Sequence, residues 1–149
     1  MEWTDEYSGT LHELCLDQPL AVLATAAGSA PYASLVAIAV TPDLRRLYFA
    51  TPRATRKAAN LAGNPQVALL LDNRSNQLTD FTRAAAATII GTAEELRGAG
   101  RTSGLTFYLE RHPHLADFTA SPGTVLFMVT VTRISLVTRF QQVMDYDVP

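Results

Sequence analysis

Arg53, Arg56 and Lys57 set three cations within five residues, and Lys57 is the only lysine of the chain. They follow Leu47-Tyr48-Phe49-Ala50-Thr51, a strand-like run closed by Pro52, and Thr55 stands where it can cap a helix running to Ala62. The first turn of a helix already carries unpaired N–H groups and about half a positive charge. Arg56 and Lys57 at that position are unfavourable by roughly 0.3–1 kcal/mol each. A bound phosphate reverses the sign, because it accepts from the free N–H groups, the Thr55 hydroxyl and both cationic heads, at roughly 1.5–3 kcal/mol per charge-assisted hydrogen bond. The residue types therefore describe a phosphate-binding turn. They also fit a short soluble helix with a solvated charged face, and spacing alone does not separate the two.

Other constellations are weaker. His112-Pro113-His114 with Asp117 has no further His or Cys nearby in sequence to close a metal shell, so a helix-end turn with exposed imidazoles is expected and no metal. Gly98-Ala99-Gly100-Arg101-Thr102-Ser103-Gly104 has one residue too many for a dinucleotide fingerprint and follows no clean strand. Ser34 and the lone Cys15 lack a partner base, and Cys15 falls on the apolar face of an N-terminal helix, where a thiol acts as a small hydrophobe. No catalytic acid or base stands out.

The elements that must position the cations read as follows. Glu6 to Leu16 has helical spacing and Pro19 stops it. Leu20 to Thr25 and Tyr32 to Val40 are apolar runs joined by Ala26 to Pro31, a hairpin with a loop somewhat longer than the tightest kind. Leu47 to Thr51 is a third strand, and Gly63-Asn64-Pro65 ends the capped helix. Val67 to Leu71 is apolar without alternation, so it requires cover on both faces, from a barrel interior on one side and a helix or second subunit on the other. Asp72 to Thr82 is a polar loop, residues 84–95 are mostly strand, Thr102 to Arg111 is a helix, and Val125 to Val137 is the last and longest strand. Six strands, two to three helices and no βαβ rhythm predict a mainly β (α+β) chain: an antiparallel barrel with peripheral helices.

At 149 residues and 48% apolar content the chain sustains one core, and a single domain over residues 1–149 is expected. A formal charge of −2 gives no electrostatic ground for nucleic acid or acidic membranes. One cysteine excludes an internal disulfide framework. The acidic start Met1-Glu2-Trp3-Thr4-Asp5-Glu6 lacks the features of an export signal, and no run approaches the roughly 18 apolar residues of a membrane span, so a cytoplasmic location is expected.

From Leu20 to Glu95 the sequence resembles the pyridoxamine 5′-phosphate oxidase-like, FMN-binding split barrels. The resemblance is carried by Leu47-Tyr48-Phe49-Ala50-Thr51, then Thr55-Arg56-Lys57, Asn60-Leu61 and Asn64-Pro65-Gln66-Val67-Ala68-Leu69-Leu70. It implies a six-stranded antiparallel split β-barrel with FMN at a homodimer interface. Arg56 and Lys57 would grip the phosphate with Thr55, and Arg53 belongs to the same cationic turn. Thr51 and the backbone of Phe49 and Ala50 would lie along the flavin ring, with Ser34, Leu35 and Val36 lining ring and ribityl chain. Arg74 and Ser75, in the polar loop, would fold over the flavin's polar edge, or else belong to an ordinary surface loop. Two departures separate the chain from the oxidase itself: Ser34 replaces a phosphate-binding arginine, and the C-terminal Trp and Arg elements are replaced by Thr138-Arg139-Phe140-Gln141-Gln142-Val143. The implied activity is a flavin-dependent oxidoreductase acting on a small organic substrate. The alternatives are a flavin carrier or sensor without turnover, or the same barrel holding haem, with His12, His112 or His114 as axial ligand, or a deazaflavin.

Overall fold

The computed structural model describes residues 7–139 and 141–149. The expected helix start at Glu6, the acidic leader and Phe140 lie outside them. The described elements are α1 (Ser8–Asp17), β1 (Leu20–Ala27), β2 (Ala30–Val40), β3 (Arg46–Pro52), α2 (Arg56–Gly63), β4 (Gln66–Asp72), α3 (Asp80–Arg83), β5 (Ala86–Glu95), α4 (Gly98–Arg111), α5 (Ala116–Ala120), β6 (Thr124–Thr138) and β7 (Gln142–Asp147). All strand pairings are antiparallel, in the order β3-β2-β1-β4-β5-β6-β7, and β3 also pairs with β6. That last pairing closes six strands into a barrel and leaves β7 as an outer strand on β6.

The β1–β2 hairpin is tighter than expected. Gly28 at φ +59 turns the chain within two residues, so Ala27 pairs directly with Ala30 and both strands gain length. Two features leave no sequence period. The helices α3 and α5 span only four and five residues, and β7 alternates polar and half-buried side chains on the barrel's outside. The helix α4 begins at Gly98, whereas the sequence pointed to Thr102, because the glycine-rich first turn is weak in helix propensity and gives no helical signal.

Two glycines answer to close packing. At Gly91 the β5–β6 register shifts, and a Cβ there would fall 2.3 Å from the Thr130 carbonyl oxygen. At Gly104 a Cβ would meet the Leu96 side chain at 2.8 Å, with Leu126 and Tyr48 close behind, so glycine lets α4 lie directly on the sheet.

The barrel interior holds the main core, including Leu23, Ile38, Leu47, Phe49, Leu69, Ile89, Val129 and Ile134. A second cluster, Ala39, Tyr48, Ala50, Tyr108 and Leu126, lies outside the barrel beneath α4. Cys15 is buried on α1 as expected, and burial pushes its thiol up to about 12. In β4 burial alternates: Val67, Leu69 and Leu71 point inward, while Leu70 is 38% exposed. Its outer side belongs to an uncovered apolar face. The register sets Leu35, Val22, Leu70 and Thr88 in one cross-strand row and Ala33, Ala24, Ala68 and Ile90 in the next. Leu35 is 62% exposed and Ile90 40%. Among the described residues no helix is long and apolar enough to cross a membrane.

Candidate functional site

The β2–β3 ladder is short. Only Ile38↔Phe49, Ala39↔Tyr48 and Val40↔Leu47 pair, whereas β3 continues along β6 to Pro52 and β2 continues along β1 back to Ala30. The two strands therefore part beyond Ile38 and Phe49, and the sheet forks. One arm carries Thr51 and then α2; the other carries Val36, Ser34 and Tyr32.

Helix α4 holds the fork at its root. The Tyr108 hydroxyl donates to Ala37 O at 2.9 Å on β2 and is hydrogen-bonded to the Ala50 backbone on β3. Burial pushes Tyr108 up to about 12, which removes it as a base near neutral pH. His112 is 3% exposed, and its Nε2 donates to Ile38 O at 2.6 Å. The expectation of two exposed imidazoles is thus corrected. Pro113 ends α4 so that His112 turns onto the sheet, while His114 is exposed. Among the described residues no group of three or more His, Cys, Asp or Glu side chains could hold a metal.

On the β3 arm the turn is built from hydroxyls. Thr51 is 1% exposed, and its Oγ1 lies 3.1 Å from Thr55 Oγ1. Thr55 caps α2: its Oγ1 accepts from Ala58 N–H at 3.3 Å and donates to Pro52 O at 3.0 Å. The cap leaves the N–H groups of Arg56 and Lys57 without an intrahelical partner, and no acidic residue stands in that first turn. Asn60, buried on α2, donates from Nδ2 to Thr25 Oγ1 at 3.0 Å and ties the helix to β1. Thr25 pairs with Tyr32, so α2 bridges from one arm of the fork to the other. Arg56 completes the bridge, with its guanidinium carbon 5.3 Å from the centroid of the Tyr32 ring.

The sequence-predicted residues do not all converge. Thr51, Thr55, Arg56 and Lys57 share the α2 turn. Arg53 leaves it: its guanidinium grips Glu95 at 2.8 and 3.2 Å, Arg97 joins the same carboxylate at 2.8 Å, and both overlook a cleft of about 560 Å³ between α2 and the ends of β5 and β6. The Arg53 hydrogen bonds hold Glu95 below the usual carboxylate range. On the other arm strand alternation separates neighbours: Ser34 and Val36 point to the barrel side, whereas Leu35 belongs to the outer apolar face. The Phe49 ring stacks on Phe127 in the core with centroids 5.3 Å apart, and Ala50 packs beneath α4. Arg74 and Ser75 follow Asp72, the end of β4 remote from α2. Arg74 pairs with Asp72 at 2.8 Å, and the Ser75 hydroxyl donates to Asp80 at 2.7 Å.

Ser34 Oγ is buried and has no hydrogen-bond partner. A hydroxyl in that state costs about 1–3 kcal/mol unless something from outside the chain meets it. The fork therefore offers an unmet polar atom on one arm and two cations with free helix N–H groups on the other, as a phosphate-bearing, partly apolar ligand requires. Sequence reading gave no role to Tyr32, named Asn60 only within the motif that carries the resemblance, and named His112 as an exposed imidazole or haem ligand, not as a bond from α4 to β2.

No curated protein matches the chain. Solved structures share the fold at low identity. A haem binding protein from Mycobacterium smegmatis superimposes at TM-score 0.80 with 16% identity over 91% of this chain, which spans 55% of that one. A FAD-binding protein from Mesorhizobium loti gives 0.71 with 18% identity over 87% of this chain and 90% of that one. The haem storage protein HutZ from Vibrio cholerae gives 0.72 with 18% identity over 93% and 95%. The family model described as pyridoxamine 5′-phosphate oxidase matches residues 8–138, nearly the whole barrel with the fork and the α2 turn inside it. The chain belongs to the pyridoxamine 5′-phosphate oxidase family and has its split-barrel fold.

Proposed function

We propose that the chain binds FMN in the β2–β3 fork, as a homodimer, and serves as a flavin-dependent oxidoreductase for a small organic substrate. The observation that carries this reading is the α2 turn, where Arg56, Lys57 and two free N–H groups converge with no carboxylate in the first turn. Arg56 and Lys57 hold the phosphate. The Tyr32 ring braces Arg56 in position. Thr51 and Thr55 keep the turn rigid, and a phosphate hydrogen bond from Thr55 requires its proton to leave Pro52 O. Ser34 gives its unmet hydroxyl to the polar part of the ligand, and Val36 lines the apolar part. Tyr108 and His112 set the width of the fork by anchoring β2 at Ala37 and Ile38. When bound, the flavin supplies hydride and electron transfer.

The apolar rows through Leu35, Val22, Leu70 and Ile90 are the face that a second subunit covers, since no described helix covers them. Within one protomer Arg74 and Ser75 stand at the far end of β4, so their contribution to a flavin comes from the partner. The names of two fold relatives raise haem as the other reading. Here His112 is buried and turned onto the sheet by its Nε2 bond to Ile38 O, and the cationic α2 turn suits a phosphate, which haem lacks, so flavin is favoured.

The test is the purified protein's absorbance and the mass of its released small molecule. Flavin bands and the FMN mass support the reading; a Soret band without flavin overturns it. Reduction by a nicotinamide donor, with multiple turnovers on an acceptor, separates an oxidoreductase from a carrier.

A further inference from the structure

At the other end of the barrel stands a second polar cavity. Its wall includes Thr138, the last residue of β6, whereas the α2 turn adjoins Pro52, which pairs with Thr124 at the first residue of that strand. The cavity measures about 400 Å³, at the small end of ligand pockets. Glu13 of α1, Asn73 just after β4, Thr82 and Arg83 of α3, and Arg139 line it with Thr138.

Thr138 is 7% exposed and its Oγ1 has no hydrogen-bond partner. Asn73 Oδ1 accepts from Ala85 N–H at 2.8 Å, which leaves the amide N–H₂ of Asn73 to donate. Four other arginines, at 53, 74, 97 and 133, are held in ion pairs, whereas Arg83 and Arg139 form none among the described residues. The acids that could neutralise them are engaged: Asp72 with Arg74, and Asp80 with the N–H groups of Ser75, Asn76 and Gln77. Among the described residues only Glu13 remains as an acid in the wall, so there two cations face one carboxylate.

We propose that this cavity binds a small oxyanion-bearing molecule, a site separate from the flavin fork. Arg83 and Arg139 receive the anionic group, for which planar guanidinium donors are well matched. The Thr138 hydroxyl and the Asn73 amide meet its polar substituents, and Glu13 accepts from a hydroxyl or amine of the ligand.

The test uses the full chain carrying Arg56→Ala and Lys57→Ala, so that phosphate has no site at the α2 turn. Sodium lactate and inorganic phosphate are titrated separately while backbone amide resonances are followed. Saturable shifts at Asn73 and Thr138 are expected, with lactate favoured if the ligand is a carboxylate and phosphate favoured if it is a phosphate ester. Arg83→Gln with Arg139→Gln should weaken binding about tenfold or more. Thr138→Val should weaken it as well while the melting temperature stays level or rises, because a methyl replaces a hydroxyl without a partner. No saturable binding of either probe, unchanged affinity in the arginine variant, or a lowered melting temperature in Thr138→Val overturns the proposal.

Discussion

Replacing Arg56 and Lys57 together by Ala separates phosphate recognition from folding. Two charge-assisted hydrogen bonds disappear, each contributing roughly 1.5–3 kcal/mol. Arg56 is exposed and Lys57 half-buried, so solvent screening sets the loss near the lower end, at about 3 kcal/mol or roughly 150-fold in Kd. The unliganded protein should change little. Removing two cations from a helix start relieves roughly 0.3–1 kcal/mol each, and losing the Arg56–Tyr32 contact costs a similar amount at an exposed site, about 0.5–1 kcal/mol. Fluorescence titration with FMN and with riboflavin, wild type beside variant, isolates the phosphate: FMN affinity should fall about 150-fold and riboflavin affinity should not move. Equal losses for both ligands would mean the cations shape the fork instead of holding phosphate. An unchanged FMN affinity would place the phosphate elsewhere and refute the assignment.

Alkaline stability follows from two buried acids. Cys15 moves from its ordinary 9.0 to about 12 and Tyr108 from 10.0 to about 12, so both stay protonated in the fold after the unfolded chain has lost those protons. Their stabilisation is complete below pH 9 and declines between pH 9 and 12, by about 1.4 kcal/mol per pH unit for each group in turn; urea titrations across that range should show Cys15→Ala and Tyr108→Phe each flattening the decline. Gly91→Ala forces a Cβ to 2.3 Å from the Thr130 carbonyl and should destabilise by roughly 3 kcal/mol, read as a lower urea midpoint; a midpoint equal to wild type would show that the β5–β6 register relaxes freely. Leu35→Arg with Leu70→Arg should convert a dimer to a monomer in sedimentation while circular dichroism stays the same, and a dimer that survives would locate the interface on another face.

Legibility in the sequence followed the range of the interactions. Thr55 as cap, the cations beyond it and the Asn64-Pro65 stop are local, so residue spacing alone places the α2 turn. The strands were recognisable as apolar runs, but their partners were not: the β3–β6 pairing that closes the barrel joins residues some eighty positions apart. The short elements α3 and α5 and the polar strand β7 carry too few periods to register. Arg53 read as a member of the cationic turn because it is two residues from Thr55, yet Glu95, forty-two residues away, draws it to the opposite side of α2. His112 read as a surface residue because nothing nearby in sequence foretells a carbonyl on β2.

By itself the sequence determined a mainly antiparallel β chain and a capped, cationic helix start after the third strand, since strand period, capping and charge act over a few residues. The tertiary structure decided where the sheet forks, that Tyr108 and His112 bond to its root from α4, that Ser34 is left without a partner, and that Leu35, Leu70 and Ile90 form one outer face. Those properties arise from register and strand alternation, which exist only once distant strands have paired.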